Sequence, residues 1–404
     1  MLLQKEPRLL FKIYTELFRI PGALRIALAG FISRMPIAMD SIAIIYFVHS
    51  VEKNYSIAGA ITGVAALTTV VSAPLWAKAA DKFGQRKILY TAVPIRISAF
   101  ILFIYLVENN APKWTWFTAV IMAEFASISV GSMTRRRWVH LVGHEKKDLL
   151  STSYALESLI DEFVFILGPV ITTLAVTVVD PKAGILLGIT FLLIGIPIIA
   201  QHKFSDPGVA NFLAGTNPRS VLFNRKLQAI SLPITLAGGS FSAINICVVA
   251  FSDEQGAKSM SGILLGLWAA GGAISALING AIRWKISHGS RYLFYLLGMT
   301  TISLTFPFID SLWVLALALF LQGMCIAPLL PNGLPLITNS VSPNQLTQAI
   351  TLATAGIPLT GALSSFFSGK IIDSFGASVG LWLPFGFLFA ACLVTVPYLK
   401  QYRD

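Results

Sequence analysis

Seven ionisable side chains stand in stretches otherwise nearly free of charge: Arg34, Asp40, Arg96, Glu124, Glu157, Asp161 and Glu162. Their surroundings read as lipid-spanning, where an unpaired charge near the middle of a helix costs about 2.5–3.5 kcal/mol. Each must therefore pair, bind a proton or face water. Five carboxylates oppose two guanidinium groups, so full ionisation would leave three negative charges uncompensated. Like charges in a low dielectric raise one another's proton affinity, and at least one acid is expected to be protonated near neutrality. Reversible protonation is the chemistry of a proton-coupled carrier; a static ion-pair network bracing helices is the other reading. Glu157, Asp161 and Gly168 share one helical face by their i, i+4, i+11 spacing, whereas Glu162 points elsewhere. In the second half of the chain the candidates are uncharged: Ser240, Ser242, Asn245, Gln322 and Asn332, which can bond a solute or tie helices together.

The elements that must position these groups follow from composition. The chain of 404 residues is 55% hydrophobic and 12% charged, about half the charge of a soluble domain. An ordinary water-soluble enzyme, a disordered chain and a coiled coil are thereby excluded. A membrane-spanning helix needs roughly 20 mostly apolar residues, and such runs fall near 23–50, 56–77, 88–107, 114–134, 151–178, 183–201, 228–251, 259–282, 292–308, 312–333, 346–369 and 380–399. Lipid leaves backbone groups no outside partner, which predicts helices throughout. The first 22 residues lack a long apolar core and are no signal peptide. Their Leu10, Ile13, Tyr14, Leu17 and Phe18 instead suggest a short amphipathic helix on the membrane surface.

The net charge of +11 would suggest a polyanionic partner in a soluble protein. Sorted along the spans, 23 of the 30 cations fall on one side and only Lys53, Lys113, Lys182, Lys258 and Lys370 on the other. This is a positive-inside pattern. It places both termini in the cytoplasm of a multi-pass protein and removes the case for nucleic acid. Trp114, Trp116, Trp138, Trp284, Trp313 and Trp382 lie at or near predicted span ends and read as an interfacial belt.

The chain is also duplicated. A shift of 203 residues superposes Ser56, Gly59, Gly63, Ala66, Ser72, Ala73 and Lys82 on Ser259, Gly262, Gly266, Ala269, Ser275, Ala276 and Lys285. The expected organisation is an N-terminal segment 1–22, a six-helix bundle 23–201, a cytoplasmic linker 202–227, a second bundle 228–399 and a tail 400–404. Parallel repeats of this kind serve alternating access in transporters.

The loop after the second span reads Ala77-Lys-Ala-Ala-Asp81-Lys82-Phe-Gly84-Gln-Arg86-Lys87. It resembles the loop signature of the major facilitator superfamily, with Ala77 where that signature has Gly and Trp284 replacing the Asp in the second copy. Twelve spans, duplication and cytoplasmic termini resemble the same superfamily over the whole chain. The stretch from Arg135-Arg136-Arg137-Trp138 to Gly168-Pro169 resembles a little-characterised bacterial branch of it, and Gly168-Pro169 resembles the core of an antiporter motif on span 5. Thr172 and Thr173 stand where that motif usually has a Gly pair.

The resemblance implies an all-α fold of two pseudo-symmetric six-helix bundles. It implies proton-coupled secondary transport of a small organic solute, leaning to efflux, across a bacterial cytoplasmic membrane. It places spans 1 and 4 at the cavity, making Arg34, Asp40 and Glu124 working residues, and span 3 at the periphery, making Arg96 a structural ion pair. Asp40, Glu124 or Asp161 is the expected proton carrier. Asp81 is expected to meet the positive start of span 11, where Ser342-Pro343 reads as a helix cap. The alternatives are a proton symporter for uptake, or an enzyme or receptor on a transporter fold. No phosphate-binding loop appears, His140, His144 and Glu145 lack the metalloprotease order, and Cys247, Cys325 and Cys392 sit in apolar runs. The expectation is therefore a monomer with no cofactor and no metal, partnered by lipid, solute and protons.

Overall fold

The computed structural model describes residues 14–143, 146–209, 224–282, 285–326, 328–338, 340 and 346–397. These are nearly all helical, and no strand occurs among them. The order is α1 Ala23–Glu52, α2 Tyr55–Phe83, α3 Gln85–Glu108, α4 Lys113–Phe125, α5 Val130–Val142, α6 Lys147–Val178 and α7 Ala183–Gln201, then α8 Arg225–Glu254, α9 Met260–Ala281, α10 His288–Ser303, α11 Leu312–Ile326, α12 Leu329–Thr338, α13 Leu346–Phe375, α14 Ala377–Gly380 and α15 Trp382–Thr395. Among the described residues nine helical spans are long and apolar enough to cross a membrane, with Leu312–Ile326 a shorter one. The pattern is that of twelve spans.

Three of these spans differ from a single continuous rod. The fourth is split into α4 and α5 by residues 126–129, the tenth into α11 and α12, and the twelfth into α14 and α15. The fourth also runs on to Val142, past the expected end at 134. Arg135, Arg136 and Arg137 therefore belong to a helix rather than to a loop. By contrast, α1, α2, α3, α6, α7, α8 and α13 each carry an internal proline without a break. In lipid a lost backbone bond is tolerated where neighbouring helices and hydroxyls supply partners. Turn chemistry fixes other ends. Asn224 accepts from the amides of Lys226 and Leu227 to start α8, and Ser287 accepts from Ser290 to start α10. Gly84 joins α2 to α3 at φ +84°, a conformation side chains disfavour.

The chain forms two compact units. One holds residues 1–40, 68–168 and 182–212; the other holds 41–67, 169–181 and 213–404. Helices α1, α2 and α6 each pass from one unit to the other, at Asp40/Ser41, Leu67/Thr68 and Gly168/Pro169. The core of the first unit includes Ile88, Leu89, Ala92, Met133, Leu192 and Ile196. That of the second includes Ile230, Ile234, Tyr292, Leu296, Met299 and Leu388. Small residues permit close crossings there. A Cβ on Gly271 would lie 2.1 Å from the Phe320 carbonyl, and one on Gly323 would lie 2.0 Å from that of Trp268. Such reciprocal contacts are how membrane helices gain dispersion energy without a hydrophobic drive.

The tryptophans divide. Trp114, Trp313 and Trp382 are exposed at helix starts, as a belt requires, while Trp116 and Trp138 are fully buried. Trp116 donates to the Leu106 carbonyl at 3.2 Å and Trp138 to Glu157 at 2.6 Å, so both serve as internal donors. Trp284 lies outside the described residues. So do Leu10, Ile13, residues 210–223 of the linker and the tail. Of the N-terminal amphipathic stretch, Leu17 is buried and Phe18 exposed.

Candidate functional site

Two ionic clusters gather the intramembrane charges, both in the first unit. The first is built on Arg34 of α1. Its guanidinium is 1% exposed and contacts Glu157, Thr134 and Asp161, the last at 2.9 Å. Glu157, fully buried on α6, also accepts from Trp138 at 2.6 Å and Thr134 at 2.8 Å. Asp161, one turn further along α6 and 35% exposed, accepts from Arg135 at 2.6 Å. The shared face of Glu157 and Asp161 is thus turned to Arg34. Two carboxylates meet two guanidinium groups, so the cluster is electrically balanced. Glu162 is half-buried and makes no ion pair among the described residues.

The second cluster is built on Arg96 of α3. The guanidinium forks onto Glu124 of α4 at 3.2 and 3.3 Å and also holds Asp40 of α1. Thr69 adds a bond to Glu124 at 3.3 Å. Asp40 has Gly188 of α7 on its other side, where a Cβ would come within 3.4 Å of Oδ1. This triad has one cation and two acids.

Glu124 stands one residue before the end of α4, beside the break in the fourth span. Carbonyls at such a helix end lose their intrahelical partners, and lipid offers none. The Ser127 amide reaches the Glu124 carbonyl at 3.0 Å, and helix α2 adds further donors: Ser72 to the same carbonyl at 3.2 Å, and Trp76, one turn on, to that of Phe125 at 2.5 Å. The break is thereby held open next to the triad.

Asp81 stands in the last turn of α2, separated from α3 only by Gly84 rather than in the expected loop, and ion-pairs with Arg136 of α5. Ala77, Asp81, Gln85 and Arg136 line a cavity of about 110 Å³. Lys82 and Lys87 lie over the Phe83 ring at 5.2 and 5.3 Å, and Arg86 over Tyr90 at 6.0 Å. Ser342 and Pro343, the expected partners of Asp81, lie outside the described residues. The neighbouring Arg137 is buried and makes no ion pair among the described residues. It donates to Gln85, to the Ile199 and His202 carbonyls and to Ser205, capping the end of α7. Burial, aided by Arg25 and Arg137, holds His202 below the usual histidine range.

The second unit contains the ends of α1, α2 and α6 together with the helices of the second half. Asp373 of α13 accepts from the first amides of α2, Tyr55 at 2.8 Å and Ser56 at 2.7 Å, and from the Ser56 hydroxyl. A carboxylate at a helix N-terminus is favoured by the macrodipole. Asp253 of α8 receives the Tyr55 hydroxyl at 3.1 Å, His49 at 3.4 Å and Lys258 at 3.0 Å. Tyr46 bonds Ser261 at 2.7 Å and the Lys258 carbonyl at 2.9 Å. A Cβ on Gly59 would stand 2.1 Å from the Ser365 carbonyl of α13, and one on Gly262 would stand 2.7 Å from the Pro169 carbonyl of α6. Gly59 and Gly262 are equivalent in the duplication, and each meets the fifth span of the opposite half. A cavity of about 650 Å³ is lined by Tyr46, His49, Lys53, Asp180 and Lys258 among others.

The family model described as Major Facilitator Superfamily matches residues 26–312 and 230–403. The chain belongs to the major facilitator superfamily. Its fold is similar to a variant of the nucleoside transporter NupG, with TM-score 0.76 and 13% identity over 94% of this chain and 99% of that one. A bacterial metal transporter (TM-score 0.64, 14% identity, 93% and 97% covered) and the human organic anion transporter MFSD10 (0.58, 14%, 92% and 96%) share the fold. No curated protein matches significantly. Family and fold mark a membrane transporter rather than an enzyme.

Several polar residues of the second half bond within that half. Gln322, fully buried on α11, accepts from Trp268 at 2.5 Å and donates to Ser303 at 3.4 Å, bridging three helices. Asn245 donates to the Phe241 carbonyl one turn back at 2.9 Å. Asn332 bonds the Pro328 carbonyl and His288. Ser240 is buried, and its hydroxyl has no partner among the described residues. Gly168 packs so closely on α1 that a Cβ would stand 2.6 Å from that of Ala38. Residues the sequence reading passed over are Thr134, Arg135 and Trp138 in the Arg34 cluster, Thr69 and Ser72 by Glu124, and Arg136 on Asp81. Thr134 and Trp138 were legible: Val130, Met133, Thr134, Arg137 and Trp138 repeat at i, i+3, i+4, i+7, i+8 and are buried.

Proposed function

We propose that this protein moves a small organic solute across the bacterial cytoplasmic membrane by alternating access, driven by protons, in the direction of efflux. The two six-helix halves, 23–201 and 228–399, are the moving parts, with both termini cytoplasmic and the monomer as the working unit. The observation that carries the reading is the set of bonds from α1 and α2 to α8, α9 and α13. The cation count puts these ends outside. There Asp373 caps α2, Asp253 collects Tyr55, His49 and Lys258, and Tyr46 reaches Ser261. The bonds of Asp373 to Tyr55 and Ser56, of Asp253 to Tyr55 and His49, and of Tyr46 to Ser261 join the first half to the second by polar contacts. Such polar, helix-end contacts can be broken and remade at modest cost, which suits a gate.

Asp81 with Arg136 is read as the cytoplasmic counterpart, a carboxylate that exchanges Arg136 for the start of span 11 as the halves rock. Proton coupling is assigned to one carboxylate among Asp40, Glu124 and Asp161. The test is a sealed-vesicle assay with the purified protein and an imposed pH gradient, screened over nucleosides, organic anions and drug-like amphiphiles. Gradient-driven movement of one such solute, abolished by a proton ionophore, is the expected result. Movement of none, or movement indifferent to the gradient, contradicts it. Uptake by symport would appear in the same assay as reversed flux.

A further inference from the structure

The two arginine clusters differ in charge, and the difference is chemical rather than statistical. Around Arg34, Glu157 and Asp161 are matched by Arg34 and Arg135. Nothing there requires a proton. Around Arg96, Asp40 and Glu124 face a single guanidinium. Thr69 of α2, Gly188 of α7 and the Phe100 ring of α3, over which Arg96 lies at 5.3 Å, also face this triad, and none of them is charged. Full ionisation would leave one net negative charge among side chains that are 7%, 8% and 13% exposed. An uncompensated buried charge of this kind is removed by binding a proton.

Of the two acids, Glu124 is the more fully satisfied. It receives two Arg96 nitrogens and Thr69, and its backbone is pinned by Ser72. Asp40 receives one Arg96 nitrogen on Oδ2, while Oδ1 faces Gly188 and has no hydrogen-bond donor among the described residues. Asp40 is also the most exposed of the three, so water reaches it most readily. Finally, Asp40 is the last residue of α1 in the first unit, with Ser41 the first in the second.

We propose that the Asp40–Arg96–Glu124 triad binds one exchangeable proton, on Asp40 Oδ1, and that the Arg34 cluster is a permanently ionised brace. This deepens, and rests on, the proton-coupled reading above. The step is a simple transfer: a hydronium ion gives its proton to the Asp40 carboxylate, an O–H bond forms, and water is released. The reverse step on the other side restores the ion. Neutral Asp40 relaxes its hold on Arg96, which then belongs to Glu124 alone, at the point where α1 crosses between the units.

The test needs no solute. Infrared difference spectra of the reconstituted full chain, titrated through neutral pH, report the carbonyl stretch of a protonated buried carboxyl. One titrating band is expected, lost in Asp40→Asn and kept in Glu157→Gln. Glu124→Gln, which leaves Arg96 balanced by Asp40 alone, is expected to move its midpoint toward acid by at least tenfold in proton concentration. Should Asp40→Asn fail to fold, the Glu124→Gln shift carries the test by itself. Absence of any titrating band, a band unaffected by both triad variants, or one lost in Glu157→Gln overturns the assignment. A normal spectrum in a protein that moves no solute would instead overturn the transport reading while leaving the proton site in place.

Discussion

At the scale of single residues, the intramembrane charges are meaningful because lipid gives them no alternative partners. Removing one member of a buried pair costs about 3–5 kcal/mol, far more than the pair's net contribution, because the survivor remains charged and unpaired. Arg34→Met should therefore lower the melting temperature in detergent strongly, since it strands Glu157, which is fully buried. Arg34→Met combined with Glu157→Gln should recover a large part of that loss. A double variant no more stable than the single one would contradict a balanced, structural Arg34 cluster. Arg34, Glu157 and Asp161 were legible as a cluster from mid-span position and helical spacing. Arg135 was not, because the fourth span was expected to end at 134 and that arginine was counted with the cytoplasmic loop. The helix in fact runs to Val142.

At the scale of elements, hydropathy made the spans legible, since each is long, apolar and bounded by charge or turn residues. The interruption of the fourth span was not legible. Residues 126–129 read Ala-Ser-Ile-Ser, with neither proline nor glycine to mark a break. What sustains it is non-local: hydroxyl and indole donors from α2, 52 and 49 residues away in sequence. Ser72→Ala removes one of the two donors to the Glu124 carbonyl, the Ser127 amide remaining, and should cost roughly 0.5–1.5 kcal/mol, read as a fall in melting temperature. An unchanged melt would mean that the break needs no help from α2. The end of α7 carries a second dependence. His202 is held below the ordinary histidine value of 6.5 by burial and by Arg25 and Arg137. The unfolded chain then takes up a proton that the folded one resists, so stability is full above about 6.5 and declines as pH falls below it. Melting curves of His202→Gln should be flatter on that acid side than those of the parent; identical slopes would contradict the assignment.

At the scale of the whole molecule, the twofold repeat was visible as a 203-residue shift, and its use is visible in the packing. Gly59 and Gly262 bring the second span of each half against the fifth span of the other. The residues that complete this seam, Asp253, Asp373 and Tyr46, gave no motif to read, because their partners lie 198 to 318 positions away. Gly59→Ala would drive a methyl into the Ser365 carbonyl, and Asp373→Asn would weaken the cap on α2. Both should raise the rate at which a cysteine placed at Ser50, beside the 650 Å³ cavity, reacts with a membrane-impermeant maleimide added outside. Unaltered labelling would show that these contacts are not a gate. The most direct measurement of the central claim is solute and proton movement together in sealed vesicles. The parent protein should accumulate its solute against a gradient when a pH difference is imposed, and Asp40→Asn should exchange solute but no longer accumulate it. Accumulation by Asp40→Asn equal to the parent's, or transport in the parent that ignores the pH difference, would contradict it.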